Sequence, residues 1–307
     1  MKTKNILIIG SLNTDLVVSV QRMPLMGETV LGKSISYVQG GKGANQAYAA
    51  ARAGGNVTML GCVGADEFGS VQIENLSNAG VDVSKIKISD KSPTGTAIIY
   101  VDEKGNNSIV VVAAANNDCN VEYIKENDDV LQACDYIMMQ MEIPWETNYY
   151  AIKRAKQLGK TIILDPAPVS DPLPDEIYPM IDYITPNETE IMKLTSVKVS
   201  SIDDAEKGAK ALLEKGVENV VVTLGKAGAM HVTNSQSRLF PARQVAAVDT
   251  TAAGDCFNAV FAAVLAEGKS EDEAIEIANT ASSISVRKIG AQSSIPSRDE
   301  IENEVKF

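Results

Sequence analysis

The chain reads as an α/β protein: a three-layer α/β/α arrangement around a mostly parallel sheet, with a small antiparallel β-sheet lid. Two observations predict the main sheet. Short apolar runs alternate with helical patterns through most of the sequence, and those runs are near-continuously apolar, as in strands buried on both faces. A third observation predicts the lid. Two stretches break the rhythm as pairs of apolar runs joined by short turn segments, with no helix between them.

The strands expected in the main sheet are Ile6–Ile9, Val57–Leu60, Tyr136–Met139, Thr161–Leu164, Asp182–Ile184 and Val220–Thr223. Helices are expected between many of them. Gly43–Ala53 is alanine-rich and stops at Gly54-Gly55, Trp145–Leu158 stops at Gly159, and Ala205–Lys215 stops at Gly216. Ser270-Glu-Asp-Glu273 reads as a capping box ahead of Ala274, Ile277, Ala278, Ala281 and Ile284 on one helical face.

In the lid, Leu16–Val20 and Thr29–Tyr37 flank Met23-Pro-Leu-Met-Gly27, while Thr96–Val101 and Ser108–Val112 flank Asp102–Asn107. Both pairs read as β-hairpins forming a small sheet apart from the main one. This divides the chain into an α/β domain over 1–12, 43–92 and 116–307 and a lid over 13–42 and 93–115. Such a lid suits closure over a ligand cleft, a contact between subunits, or both.

At 307 residues the chain can bury a sizeable core. Its net charge of −12, from 28 Lys plus Arg against 40 Asp plus Glu, and the lack of a basic block disfavour nucleic acid and anionic membrane as partners. No apolar run has the length of a membrane span, and the short run before Gly10 fits a buried first strand better than a signal peptide. Cys62, Cys119, Cys134 and Cys256 show no C-x-x-C pairing, which fits a reducing, cytoplasmic setting. The single histidine, His231, cannot build a His-rich metal site.

The chemistry concentrates in Asp249-Thr-Thr-Ala-Ala-Gly254-Asp255-Cys-Phe-Asn-Ala259. Phe257, Val260, Phe261, Val264 and Leu265 make one apolar helical face, so Thr251–Gly254 sits at a helix N-terminus. Free N–H groups and the helix dipole there favour an anion, and small side chains let a phosphate come close. Asp255 in the first turn can take a proton from an attacking hydroxyl. An isolated Asp at a helix start is more often a cap; the rest of the chain reverses that preference.

Ligands of open α/β sheets bind beyond the carboxyl ends of the strands. There the sequence delivers Asn13 and Asp15, Gln140 and Glu142, Asp165, Thr185-Pro-Asn187-Glu-Thr-Glu190, and Thr223-Leu-Gly225. Gly40-Gly-Lys-Gly-Ala-Asn-Gln46 joins lid to helix, with glycines suited to a hinge or to close backbone approach, and it is not a Walker A loop.

On Gly40–Gln46, Asp249–Asp255, Pro186–Glu190 and Thr223–Gly225, the chain resembles the ribokinase-type sugar kinases, from Gly10 to Pro296. That resemblance implies a ribokinase-like fold and ATP-dependent phosphorylation of D-ribose at O5. It implies Asp255 as base, with the N–H groups of Ala252, Ala253 and Gly254 holding the transferring phosphoryl group. Asn13, Asp15, Gly41, Lys42, Asn45 and Glu142 would bind sugar; Asn187, Thr223, Gly225, Gly228 and Asn279 would border the nucleotide. Glu190, with Asn187, would hold Mg²⁺ through waters. An activating K⁺ would lie among Asp249, Thr251, Ser285, Lys288, Gly290 and Ser294, and the lid would pair two subunits as a homodimer.

Three positions depart from the family pattern: Asp165 replaces Asn, Cys256 replaces Thr, and Ala113–Asn117 replaces a Gly-Ala-Asn segment. The alternatives are a kinase of deoxyribose, another sugar or a nucleoside, and a non-catalytic sensor on the same fold. A dinucleotide-binding dehydrogenase is disfavoured, since Gly10 begins no G-x-G-x-x-G loop.

Overall fold

The computed structural model describes residues 3–305. Fourteen strands follow in chain order: β1 (Asn5–Ile9), β2 (Asn13–Val20), β3 (Gly32–Gly40), β4 (Asn56–Leu60), β5 (Cys62–Gly64), β6 (Lys87–Ser89), β7 (Gly95–Val101), β8 (Asn107–Val112), β9 (Tyr136–Met139), β10 (Thr161–Leu164), β11 (Tyr183–Ile184), β12 (Asn219–Thr223), β13 (Ala229–Val232) and β14 (Ser237–Phe240). The helices are α1 (Lys42–Arg52), α2 (Glu67–Asn78), α3 (Val121–Glu126), α4 (Asp128–Ala133), α5 (Trp145–Gln157), α6 (Glu188–Thr195), α7 (Ile202–Glu214), α8 (Ala253–Ala266), α9 (Glu271–Ser285) and α10 (Arg298–Val305).

The main sheet has the order β14-β13-β12-β11-β10-β9-β1-β4. From β4 to β12 every pairing is parallel, and only β13 and β14 run antiparallel at the edge. Alternation along each strand feeds two cores. Ile6 and Ile8 of β1 pack on the side of α1, α8 and α9, whereas Leu7 and Ile9 pack on the side of α5, α6 and α7. All six expected main-sheet strands form, within a residue of their expected ends.

The helices end and begin where the local signals lie. Helix α5 stops before Gly159 (φ 65°) and α7 before Gly216 (φ 105°), a left-handed conformation that glycine adopts without cost. Helix α7 starts three residues earlier than expected because Ser201 accepts from Asp204 N and caps it. The Ser270–Glu273 capping box is formed. Helix α8 differs from a one-faced helix: every residue from Asp255 to Ala266 is buried, since alanines fill the faces between the large side chains.

The lid sheet has the order β3-β2-β7-β8. Each hairpin is antiparallel, but the two hairpins meet through the parallel pair β2–β7, so the sheet is mixed rather than antiparallel throughout. In the first hairpin, residues 29–31 belong to the connection and β3 instead runs on to Gly40.

Candidate active site

The polar residues collect at the carboxyl ends of the parallel strands, and α1 is the element that organises them. Its first turn presses against the turn after β1. A Cβ on Gly43 would lie 2.6 Å from the carbonyl carbon of Gly10, and one on Gly41 (φ 86°) would lie 2.7 Å from Asn13 N. Only glycine allows this approach. It places Asn45 and Gln46 within reach of the opposite helix, α8.

Asp255, in the first turn of α8, is held by both. Asn45 Nδ2 donates to Oδ2 at 2.9 Å, and Gln46 Nε2 donates to Oδ1 at 3.1 Å. Gln46 Nε2 also donates to Asp165 Oδ2 at 2.7 Å, and Gln46 Oε1 accepts from Gln140 Nε2. Asp165 is buried at the end of β10. Desolvation raises its pKa to about 7, with the carboxylates of Asp255 and Glu190 adding to the rise and Lys42 opposing it. The Lys42 ammonium stands among Asp255, Asp165, Glu142 and Glu190, and their field, that of Asp255 above all, drives its pKa upward.

On the lid side, Glu142 Oε2 accepts from Ser11 Oγ at 2.6 Å and from Lys42 N at 3.0 Å, while its Oε1 has no donor among the described residues. The Asp15 carboxylate accepts no hydrogen bond among the described residues, although its backbone is paired within β2. Burial, then the charges of Glu142 and Asp255, push its pKa up to about 6. These carboxylate oxygens are acceptors suited to hydroxyl protons.

The helix start carries the cradle. Ala252 caps α8 in the left-handed region (φ 58°). Ala253 N donates to Thr250 O at 3.2 Å, whereas Ala252 N and Gly254 N have no acceptor among the described residues. A Cβ on Gly254 would meet nothing within 4 Å, so open space lies against this backbone. Ala253 and Gly254 line two adjoining cavities. One, of about 390 Å³, is bordered by Asn187, Thr223, Gly225, Gly228 and Asn279, so the residues expected around a nucleotide are brought together. The other, of about 230 Å³, is lined by Lys42, Asp165, Glu190, Asp255 and Asn258. Lys42, expected with the sugar, therefore lines the cavity beside Gly254.

Glu190 and Asn187 form a capping box on α6: Glu190 accepts from Asn187 N at 2.8 Å and from Asn187 Nδ2 at 2.9 Å. Of the expected cation residues, Asp249, Thr251 and Gly290 are joined directly. Asp249 accepts from Thr251 N, Thr251 Oγ1 and Gly290 N, and these bonds hold its carboxyl low against the opposing effect of burial. Val248 N and Asp249 N both donate to Val286 O, tying this loop to the end of α9 beside Ser285. Ser294 Oγ donates to Ala291 O, and the Lys288 ammonium turns away to Glu300.

Several residues of the network were not assigned from sequence. Gln46 stood inside the glycine-rich segment and Gln140 at a strand end, but neither carries a local signal for a partner some hundred or more residues away. Asn116 is buried and binds Leu12 N and Asn13 Oδ1. Thr185 Oγ1 and Asn258 Oδ1 are buried beside the smaller cavity and have no hydrogen-bond partner among the described residues.

This geometry has close counterparts. The model of the pfkB family carbohydrate kinases matches residues 3–298. A ribokinase of Bacillus subtilis is 42% identical over 299 residues, covering 97% of this chain and 98% of the relative. A deoxyribokinase of Salmonella typhi is 36% identical over 293 residues, covering 95% of this chain and 96% of the relative. The structure of Arabidopsis thaliana ribokinase complexed with ribose and ATP superposes with a TM-score of 0.95 at 31% identity, covering 100% of both chains. With a family match that spans nearly every described residue, the chain belongs to the pfkB family of carbohydrate kinases.

Proposed function

We propose that this carbohydrate kinase transfers the γ-phosphoryl group of ATP to O5 of D-ribose, giving ribose 5-phosphate and ADP. The observation that carries this reading is the position of Asp255. It stands in the first turn of α8 beside the open Gly254 backbone, with the unclaimed oxygens of Asp15 and Glu142 on its lid side. Ionised carboxylates accept only, so together they suit a polyol rather than an apolar alcohol. Similarity to ribokinases over the full chain supports ribose as that polyol.

In this reading, ATP occupies the 390 Å³ cavity and its terminal phosphate lies against Ala252–Gly254. Asn13, Asp15, Asn45 and Glu142 hold the sugar hydroxyls and present one alcohol to Asp255. Asp255 accepts the proton of that alcohol as the new O–P bond forms and the bond to the ADP oxygen breaks. The N–H groups of Ala252 and Gly254 and the Lys42 ammonium offset charge gathering on the phosphoryl oxygens. The lid sheet closes over the sugar and excludes water.

Mg²⁺ fits beside Glu190 through waters: both Glu190 oxygens are already engaged by Asn187, while Thr185 Oγ1 and Asn258 Oδ1 are orphaned oxygens on the same cavity. When bound it would neutralise phosphate charge. K⁺ fits among Asp249, Thr251, Ser285, Lys288, Gly290 and Ser294. The Asp249 carboxylate fastens the two loops there, which leaves carbonyls and Ser294 Oγ as donors; the ion would steady the loop that ends in the cradle. Ile109, Val110, Val111 and Val112 of edge strand β8 are all exposed, with Ile35 and Tyr37 of β3, which supports a homodimer through the lid. The four free, buried cysteines accord with a reducing cytoplasm.

The similarity to deoxyribokinase favours 2-deoxyribose as the second reading. ADP release and product phosphate position, measured with Mg²⁺-ATP and K⁺ across ribose, 2-deoxyribose, fructose and adenosine, separate the two. Ribose-dependent ADP release with ribose 5-phosphate as product is expected. A higher kcat/KM for 2-deoxyribose would shift the assignment to that sugar, and no turnover with any acceptor would overturn the kinase reading.

A further inference from the structure

Asn116 is 1% exposed and lies in the short turn Ala114–Asp118, where the chain leaves the lid after β8. Its Oδ1 accepts from Leu12 N at 2.8 Å. A backbone N–H can only donate, so this bond fixes which end of the amide is oxygen. The other end, Nδ2, donates to Asn13 Oδ1 at 2.7 Å. The oxygen of Asn13 is therefore consumed from below and its NH₂ is left over. Among the described residues Asn13 Nδ2 has no acceptor, and it is not one of the polar atoms sealed from solvent.

We propose that Asn116 is a positioning residue: by claiming the oxygen of Asn13 it makes that side chain a hydrogen-bond donor toward the sugar, opposite the acceptor Asp15. The proposal rests on the reading that Asn13 faces the sugar. Asn13 and Asp15 are two apart on β2 and share a face. A hydroxyl between them gives its one proton to Asp15 and receives one from Asn13. A ring oxygen or a deoxy position cannot do both, so the pair selects for a hydroxyl.

Two neighbouring features show how the fold accommodates this pair. Opposite Asn13 on β7 stands Gly95, where a Cβ would collide with both Asn13 Oδ1 and Asn116 Nδ2. The backbone is fastened separately, by Gln72 Nε2 donating to Asn13 O at 2.9 Å and to Gly40 O at 2.7 Å. The polarity of the Asn13 side chain can thus change while its strand stays in place.

The test is a pair of near-isosteric variants. Asn116→Asp, assayed at about pH 8.5 so that its buried carboxyl is ionised, still accepts from Leu12 N, but its second oxygen has no proton and draws the NH₂ of Asn13, turning Oδ1 toward the sugar. Asn13→Asp puts an acceptor there directly. Each is expected to raise KM for ribose about 10- to 100-fold, with a smaller fall in kcat. If Asn13→Asp raises KM and folded Asn116→Asp does not, the polarity claim is overturned while the sugar-site reading stands. If neither does, Asn13 is not at the sugar and both fail. Should Asn116→Asp not fold, wild-type protein labelled with ¹⁵N at asparagine decides. The side-chain amide pair absent from Asn13→Asp should shift on adding ribose, and no shift at saturating ribose overturns the proposal.

Discussion

Asn45 Nδ2 and Asp255 Oδ2 lie 2.9 Å apart, linking residues 210 positions distant in sequence across two helices. Gln46, the next residue, takes the other oxygen. The base is thus aimed by consecutive amides from α1, the helix whose start is wedged against β1 by glycine. Asn45→Ala frees one oxygen to rotate. A fall in kcat of about 10- to 100-fold is expected, because an alcohol must meet its base in one orientation. Steady-state kinetics at saturating ATP check this, and an unchanged kcat would show that the bond positions nothing.

Gly254 offers a cleaner separation of folding from function. Its Cβ would meet no described atom within 4 Å beyond its chain neighbours and its own helix backbone, so Gly254→Ala should leave stability within about 0.5 kcal/mol of wild type or raise it. The added methyl occupies the space reserved for a phosphoryl group. A loss of about 10²-fold in kcat is expected with the melting temperature held. Thermal unfolding and turnover measured on the same preparation check both halves.

Asp165 makes stability depend on pH. Burial holds its folded pKa at about 7, well above the ordinary aspartate value of 3.8, so the folded chain keeps a proton that the unfolded chain releases. Stability therefore falls as pH rises from about 4 to about 7, and Asp15, raised to about 6, adds in the same direction. Asp165→Asn, which has no such proton to lose, should gain on wild type by roughly 2–4 kcal/mol across that window. Urea unfolding at about pH 5 and about pH 8 gives the comparison; equal slopes for the two proteins would contradict it.

The architecture was legible because its signals are local. Apolar runs such as Ile6–Ile9, the stop at Gly216 and the Ser270–Glu273 box each sit within a few residues. The helix start at Ala253 and the acidic first turn were legible for the same reason. What the chain conceals is pairing at a distance. Nothing beside Gln46 announces Asp165 and Asp255, and nothing beside Asn116 announces Asn13. The parallel joint between β2 and β7 was hidden too, since each hairpin looks complete alone. The full burial of α8 was masked by alanines, which carry no hydrophobic pattern of their own.

Asp255→Asn tests the central claim most directly, with kcat and ribose affinity measured on one preparation. The amide keeps the shape of the side chain but cannot take a proton. The account expects kcat to fall by about 10³-fold or more while ribose, titrated calorimetrically, still binds within about tenfold of wild type. Substantial turnover in Asp255→Asn would contradict the assignment of Asp255 as the base.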